Sequence, residues 1–534
     1  MKITKRVIVG AVCAALALSF TACSGGGATG GTISVRGCTP QEGLIGGTTQ
    51  EVCGGHVLDA VTARLIHYDP KTGDPVMDIA TSIDVNADAT VFTVHMKKGY
   101  LFSDGTEVKA HNFVDAWNYM SYTPNGMSQA TFYQPIAGWD DLQCTGDGCT
   151  PASDKMSGLA VIDDYTFTIT TSSPTSNLVV RLGYTAFNPE PDAFFSGDKT
   201  AFGKMPIGAG PYKVTANTST DITMERRTDY SGKWAGHVDT IDYRIYNDMN
   251  AAYADVLANQ LDYIDQVPSD AMINNQWVTD LGADQTSTTP AGTIQTATFM
   301  PNDPQLAGNV QLRKAIGEAI DRDTITQQIF AGARKPMTGW VSPIINGYKP
   351  NQCGDACVFN PDKAKADYAA SGGYTGPFYL SVNGDGGHDP WAKAVCNSLN
   401  QVLGMNCLVN DTPDFKTLLD QAKAGELTGM IRSGWAMDYP SIENYLTPMF
   451  AKGAASNYSQ YDNPAFEDLL KQAAAAPTLD KANALYQQAE AMFAVDLPSI
   501  PLWYYTTNSA WSNRVANVIT TPFGYLDYSS ITVK

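Results

Sequence analysis

Two short motifs place a serine and a lysine where acyl-transfer chemistry is possible. Ser196 and Lys199 match the pattern S-x-x-K, in which a lysine activates a serine nucleophile, and residues 71–73 match K-T-G. In acyltransferases of the penicillin-binding type the K-T-G strand follows the serine, whereas here it comes first and lies among Asp, Pro and Gly residues typical of a turn. Order and context therefore argue against a serine enzyme.

Other catalytic and metal-binding patterns are missing from the sequence. It contains no H-E-x-x-H, no G-x-S-x-G and no P-loop, and its six histidines are scattered. Residues 383–389, N-G-D-G-G-H-D, have oxygen ligands suited to calcium, but a strand-to-helix loop with Asp389 as the N-cap is the simpler interpretation. We therefore expect a protein that is not an enzyme and has neither cofactor nor metal.

The cysteines beyond residue 23 form four sequential clusters. Disulfides are the expected state if the protein is exported to an oxidising compartment, and local pairing is the simplest of many connectivities. Zinc is the alternative, but only two clusters have gaps close to zinc-site spacing, and neither has a histidine nearby. The clusters are Cys38 and Cys53, Cys144 and Cys149, Cys353 and Cys357, and Cys396 and Cys407.

The amino terminus has the features of an export signal. Three basic residues precede an apolar run over residues 7–20, which is too short for a membrane span, and a small-residue segment then ends at Cys23. Phe20-Thr21-Ala22-Cys23 resembles the lipobox of bacterial lipoproteins. We expect residues 1–22 to be the signal peptide, and residues 23–31 to be the lipidated cysteine and a flexible Gly-rich tether.

Composition and charge argue against a disordered protein and against a nucleic-acid-binding one. Of 534 residues, 43% are hydrophobic, so the chain can bury a large core and is not mainly disordered. The net charge of −19 repels phosphate, which argues against a nucleic-acid partner. The same charge favours a well-solvated surface, and we expect a monomer.

The hydrophobic pattern predicts a mixed α/β chain with two lobes. Strand patterns dominate before about residue 285, and helix–strand alternation follows. In the second part the pattern predicts one long helix over 310–330, strands over 376–382 and 429–432, and a closing strand over 499–505. Such a sequence of elements suits sheets covered by helices in two lobes.

Four stretches resemble signatures of the family 5 extracellular solute-binding proteins of ABC importers, in the same order. Residues 102–110 resemble F-x-D-G-T-P-V-T-A, and residues 206–212 resemble P-I-G-T-G-P-Y. Residues 312–322 resemble V-R-Q-A-x-x-x-A-I-D-R, and residues 498–505 resemble P-x-I-P-L-Y-Y-Y. Departures occur at residues 43–46 and near Asn259. The resemblance covers nearly all of the chain beyond residue 32.

The resemblance implies the fold, a type II periplasmic-binding-protein-like clamshell that closes around its ligand. It is an α/β (mixed α+β) architecture with an extra subdomain inserted in lobe I. The expected limits are 32–67, 179–285 and 496–534 for lobe I, 68–178 for the extra subdomain, and 286–495 for lobe II.

The resemblance also implies a site at residues 432–440, R-S-G-W-A-M-D-Y-P, which is similar to R-x-G-W-x-x-D-Y of oligopeptide-binding members. There Asp438 would pair with the α-ammonium of a peptide, which needs an ionised partner once it leaves water. The strand before it would bind the peptide backbone. The alternative is that Asp438 only caps a turn before Pro440. The implied ligand-binding residues are Asp438, Trp435, Arg432, Ser433, Gly434, Thr39 and Gln41.

The resemblance predicts a lipid-anchored receptor on the outer face of the bacterial cytoplasmic membrane. It would capture oligopeptides and deliver them to the transmembrane subunits of an ABC permease. The same fold binding another solute, such as a glycan, metal chelate or opine, is the first alternative. An enzyme and a surface adhesin or chaperone are the others.

Overall fold

The computed structural model describes residues 30–534 except 41, 50, 51, 147, 247, 385, 386, 414 and 455. The predicted signal peptide, the lipid site at Cys23 and the predicted ligand residue Gln41 lie outside the described residues. Within this part of the chain, every helix is too short or too polar to cross a membrane.

Strands and helices are interspersed along the described part of the chain. The strands are β1 (Thr32–Gly37), β2 (Ile66–Tyr68), β3 (Pro75–Met77), β4 (Ala80–Val85), β5 (Val91–Met96), β6 (Leu159–Asp163), β7 (Thr166–Thr170), β8 (Tyr212–Asn217), β9 (Asp221–Arg226), β10 (Thr240–Ile245), β11 (Tyr263–Ile264), β12 (Thr286–Phe299), β13 (Lys335–Pro336), β14 (Pro377–Asn383), β15 (Asn406–Thr412), β16 (Met430–Ala436), β17 (Ser499–Trp511), β18 (Val515–Ala516) and β19 (Thr532–Val533). The helices are α1 (Val52–Val61), α2 (Ala110–Ser121), α3 (Leu178–Arg181), α4 (Asp192–Ser196), α5 (Lys199–Lys204), α6 (Met249–Leu257), α7 (Ser269–Met272), α8 (Gln276–Leu281), α9 (Val310–Glu318), α10 (Arg322–Phe330), α11 (Pro361–Ala370), α12 (Asp389–Leu403), α13 (Phe415–Lys423), α14 (Glu443–Phe450), α15 (Pro464–Ala474) and α16 (Leu479–Asp496).

One mixed sheet runs through both lobes in the order β15-β14-β16-β12-β17-β11-β1-β10-β9-β8. The two longest strands, β12 and β17, connect its halves. Their antiparallel register shifts between Pro290 and Ile294, and the β12 residues before this break pair with the end of β17, next to β11. The residues after it pair with the start of β17 and with β16. The chain therefore passes between the lobes within two neighbouring strands.

Each lobe has its own hydrophobic core. In lobe I, helix α1 packs with β1, β8, β9 and β10 around Ile33, Val57 and Tyr243. In lobe II, α12 covers β14 and β15, and its buried Trp391 packs edge-on against Trp503 of β17. The apolar spacing along α12 is what turns one face of this helix onto the sheet.

A separate four-stranded sheet, β4-β5-β7-β6, forms the core of the inserted region. Along β5, Phe92, Val94 and Met96 are buried and alternate with half-buried residues, as the period of two in the sequence predicts. Helix α2 packs on this sheet through Phe113 and Trp117. The result is a compact layer of helix on antiparallel sheet.

Four disulfides join the cysteines in the sequential pairs that were expected. The bonds are Cys38–Cys53, Cys144–Cys149, Cys353–Cys357 and Cys396–Cys407. The described residues contain no cluster of three or more His, Cys, Asp or Glu able to hold a metal ion. Each bond closes a short loop, and the last one also ties the buried faces of α12 and β15 together.

Three local predictions from the sequence are wrong. The long helix over 310–330 is two helices, α9 and α10, because the Asp321 side chain accepts from the Thr324 amide and starts a new helix. Asp389 is not the N-cap but the first residue of α12, where it accepts from Lys393 one turn later. Strand β16 extends to Ala436, beyond the predicted 429–432, because β12 continues beside it.

Candidate functional site

Asp438 lies just beyond the end of β16, and a single asparagine fixes its position. The Asn444 Oδ1 atom accepts from the backbone N–H of Asp438 at 2.9 Å and from the indole Nε1 of Trp435 at 3.0 Å. The Nδ2 group of the same side chain donates to Asp438 Oδ2 at 2.9 Å. Asn444 is itself buried, so it holds the carboxylate and the indole in one rigid arrangement.

Burial raises the pKa of the Asp438 carboxyl to about 6. The hydrogen bond from Asn444 and the positive charge of Arg181 lower this pKa, and the carboxylate of Glu443 raises it. Within the described residues, only Asn444 donates a side-chain hydrogen bond to Asp438. A carboxylate that is taken from water with so few donors can accept a cationic ligand group.

A cavity of about 220 Å³ opens beside Asp438 between the two lobes. Ala436, Met437 and Asp438 form its lobe II side. On the lobe I side, helix α1 contributes Gly55 and His56, among others. Pockets that enclose a whole small ligand usually measure about 300–1,000 Å³, so this cavity has room for only part of a longer ligand.

The charged groups on the lobe I side of the cavity neutralise each other. Arg64 Nη2 donates to Asp59 Oδ1 at 2.8 Å, and both side chains are largely buried. Burial and the nearby Asp59 carboxylate raise the pKa of Tyr525 well above its ordinary value, so its hydroxyl is neutral. Burial lowers the pKa of His56 below its ordinary value, so its ring is neutral at pH 7. Asp438 is therefore the uncompensated charge on the described walls of the cavity.

Next to the cavity, a buried ion pair joins the lobes. Glu443 of lobe II forms an ion pair with Arg181 at 3.2 Å and accepts hydrogen bonds from Asn177 Nδ2 at 2.7 Å and from the Tyr439 hydroxyl at 2.8 Å. The Arg181 guanidinium also lies 5.1 Å from the centre of the Tyr439 ring. These contacts hold the two walls of the cavity against each other.

The structure brings the strand residues of the predicted site into line on β16. Ser433 is buried, and its hydroxyl is hydrogen-bonded to Thr296 and Thr298 of β12. Gly434 passes so close to β12 that a Cβ atom would lie 2.3 Å from the Ile294 carbonyl oxygen. The Ser433 side chain therefore supports the sheet, and Gly434 permits the close approach of the two strands.

Arg432 and Trp435 flank these two residues. The guanidinium of Arg432 lies 5.0 Å from the ring centre of Phe415. Trp435 packs beside the lobe II core in addition to its bond with Asn444. Thr39 is exposed and does not line the cavity beside Asp438.

Sequence reasoning missed Asn444 and the lobe I wall. Asn444 sits in the first turn of α14 without a motif of its own, and only the fold brings it back to Asp438. For His56 and Asp59 the sequence does contain one signal. They are three residues apart, which places both on one face of a helix. Nothing in the sequence links them to residues 436–438, which lie far along the chain.

Comparison with known families now identifies the chain. The profile described as "Bacterial extracellular solute-binding proteins, family 5 Middle" matches residues 74–457, more than half of the sequence. The chain belongs to this family. Members of the family bind solutes outside the cell, as the resemblance in the sequence predicts.

Several similar proteins are named for the peptides that they bind. The periplasmic oligopeptide-binding protein OppA of Escherichia coli (strain K12) is 28% identical over 455 residues, which cover 81% of this chain and 80% of the relative. The oligopeptide-binding protein OppA of Bacillus subtilis (strain 168) is 24% identical over 466 residues, covering 84% and 83%. The structure of the Escherichia coli murein tripeptide binding protein MppA matches with a TM-score of 0.75 at 21% identity, covering 94% and 98%. This structural match shows the two-lobe clamshell fold.

Proposed function

We propose that the protein is a receptor that captures oligopeptides between its lobes and delivers them to an ABC-type permease. The observation that carries the proposal is the Asp438 carboxylate, which lies at the cavity and has one side-chain donor among the described residues. In this proposal the carboxylate accepts the α-ammonium of a peptide. A charge-assisted hydrogen bond in a water-poor cleft is the kind of contact that compensates the loss of water by both ions.

Strand β16 supports the proposal by offering a backbone edge that leads to Asp438. Its first residues, Met430 and Ile431, pair with β14 on one side and β12 on the other. From Ser433 to Ala436, β12 is the one strand partner within the described part of the chain. An extended peptide can add to such an edge through main-chain hydrogen bonds, which do not depend on its side chains. The relatives that bind oligopeptides make this ligand class the favoured one.

Other parts of the proposal follow from the predicted sequence features. Arg432, farther from the cavity along β16, would meet a carboxylate of the peptide, and Trp435 would form an apolar wall. Thr39 and Gln41 remain predicted contacts of the amino-terminal loop. The lobe limits given above, with lobe II at 286–495, and a monomeric receptor without catalytic activity or nucleic-acid partner complete the proposal.

Calorimetry with a free and an N-acetylated peptide of the same sequence tests the peptide assignment. We expect binding of the free peptide and a loss of roughly two to three orders of magnitude on acetylation, because the acetyl group removes the charge that Asp438 would pair with. Equal binding of the two peptides would remove Asp438 from the ligand site. Mass spectrometry of small molecules released from the purified, denatured protein would then show which other solute binds.

Lipid attachment at Cys23 is tested separately in cells. We expect Cys23→Ala to abolish acyl labelling and to yield an uncleaved precursor or a released protein, because the thiol is the attachment point. Unchanged acylation and membrane retention of this variant would contradict the anchor. Since peptide binding uses the folded lobes alone, the purified variant should bind peptide as the native protein does.

A further inference from the structure

We propose that the cavity beside Asp438 selects the first side chain of the peptide, favouring a neutral apolar one, either branched aliphatic or aromatic. This inference rests on the proposed function, because it takes Asp438 as the partner of the α-ammonium. The first side chain is attached to the same carbon atom as that ammonium. Once the ammonium is held at Asp438, the first side chain has to lie in the adjoining space, and the cavity is that space.

The walls of the cavity are rich in aromatic rings whose polar atoms are already engaged. Tyr68 stacks on Phe523 with 5.0 Å between ring centres, and its hydroxyl donates to the Val180 carbonyl at 2.7 Å. The Tyr184 hydroxyl accepts from Gln129 at 3.0 Å. What these rings offer to a ligand is therefore mainly apolar surface, which gains most from burying an apolar side chain.

The charged groups on the described walls of the cavity leave no free counter-ion for a charged first side chain. Asp59 and Arg64 are paired with each other at 2.8 Å, and the bound ammonium would neutralise Asp438. The neutral His56 ring lies against Tyr525, with 5.3 Å between ring centres. A carboxylate or ammonium on the first side chain would lose water without gaining a counter-ion from these walls, which is strongly unfavourable.

Gly55 provides a direct way to fill the cavity. It lines the space from helix α1, and a Cβ atom built there meets no other atom within 4 Å. Replacement of a helical glycine by Ala or Leu also favours the folded helix. Gly55→Ala and Gly55→Leu should therefore occupy part of the cavity in two steps without disturbing the fold.

The test is calorimetry on the mature protein with tripeptides X-Ala-Ala, where X is Phe, Leu, Gly, Asp or Lys. We expect Phe and Leu to bind about tenfold or more tighter than Gly, and Asp and Lys to bind at least about a hundredfold more weakly than Leu. Gly55→Leu should lower the affinity for Phe-Ala-Ala by about tenfold or more and change that for Gly-Ala-Ala by less than about threefold. The affinity of Gly55→Ala for Phe-Ala-Ala should lie between those of the native protein and Gly55→Leu.

Ala254→Leu on the exposed face of α6 is the matched control, because it adds an apolar side chain outside the cavity and should leave every affinity unchanged. If all five peptides bind equally while N-acetylation still abolishes binding, the selectivity is wrong and the proposed function stands. If Gly55→Leu lowered the affinities for Phe-Ala-Ala and Gly-Ala-Ala equally, the proposed selectivity would also be wrong. If no free tripeptide binds, or if acetylated peptides bind as well, the proposed function itself fails.

Discussion

Asp438 and Glu443 are neighbouring carboxylates on the lobe II side of the cleft, and their surroundings differ. Glu443 accepts hydrogen bonds from Asn177 and Tyr439 and forms an ion pair with Arg181. Asp438 receives one side-chain hydrogen bond from the described residues, an amide of Asn444, and faces the cavity. A buried carboxylate whose partners are complete contributes to structure, whereas one with few donors at a cavity is suited to a ligand.

The comparison predicts that the largest effect on stability comes from Arg181→Met. Methionine has a side chain of similar length but lacks the guanidinium. The change therefore leaves the buried Glu443 without its counter-ion. We expect a loss of about 3–5 kcal/mol in the free energy of unfolding, measured by chemical denaturation at pH 7.5. Arg226→Met is the matched control. It breaks the ion pair with the exposed Asp239 and should leave the free energy of unfolding nearly unchanged. Equal costs in the two variants would contradict the structural role of the Glu443 pair.

Asp438→Asn should show the opposite pattern, with a loss of ligand affinity and little loss of stability. The amide keeps the shape and removes the charge, so peptide binding should fall by roughly two to three orders of magnitude, about 3–4 kcal/mol. N-acetylation of the peptide should cause the same loss on native protein and little further loss on the variant, which a double-mutant cycle by calorimetry measures. The exposed Asp462→Asn is the control. Additive losses would show that Asp438 and the peptide terminus act independently.

A change of pH should have a smaller effect on peptide affinity, and this effect should come from the titration of Asp438. Burial raises the pKa of Asp438 to about 6, so the carboxyl becomes protonated as the pH falls through that value and loses its attraction for an ammonium. Peptide affinity should be nearly constant above pH 7 and about tenfold lower at pH 5. Binding below pH 6 should release a proton, which calorimetry in buffers of different ionisation enthalpy detects.

Two charged groups near Asp438 allow a more specific test of this pH dependence. Glu443 raises the pKa of Asp438 and Arg181 lowers it. Glu443→Gln should therefore move the midpoint of the affinity profile to lower pH, and Arg181→Met should move it to higher pH. A midpoint that stays in place in both variants would mean that another group titrates.

The smallest effect is expected from loss of the Cys144–Cys149 disulfide, whose cysteines do not line the cavity beside Asp438. It closes a loop with a sequence separation of only 5, so its removal restores little chain entropy to the unfolded state. Replacing both cysteines by Ser should cost less than about 3 kcal/mol of unfolding free energy and leave peptide affinity unchanged. A large loss of affinity would show that the inserted subdomain is coupled to the cleft.

Some features of the molecule could be predicted from the sequence because they depend on neighbouring residues. The period of two along β5, the apolar stripe of α12 and the four short-range cysteine pairs are all local patterns. The break between α9 and α10 was missed, although the Asp321 capping signal is present, because the apolar periodicity continued on both sides of it. The predicted roles of Asp438 and its neighbours remain predictions.

The family and the interest of Asp438 could be inferred from the sequence, since both rest on motifs within short stretches of the chain. Three features depend on how the chain folds: Asn444 holds Asp438, Arg181 pairs with Glu443, and α1 faces the end of β16 across a cavity. Arg181 and Glu443 are far apart in the chain, as are α1 and β16. Asn444 is only six residues from Asp438, but it contacts Asp438 because the chain turns back between β16 and α14. Local propensity carries no information about these contacts. The pKa of Asp438 is raised for the same reason, because burial depends on what the rest of the chain packs around it.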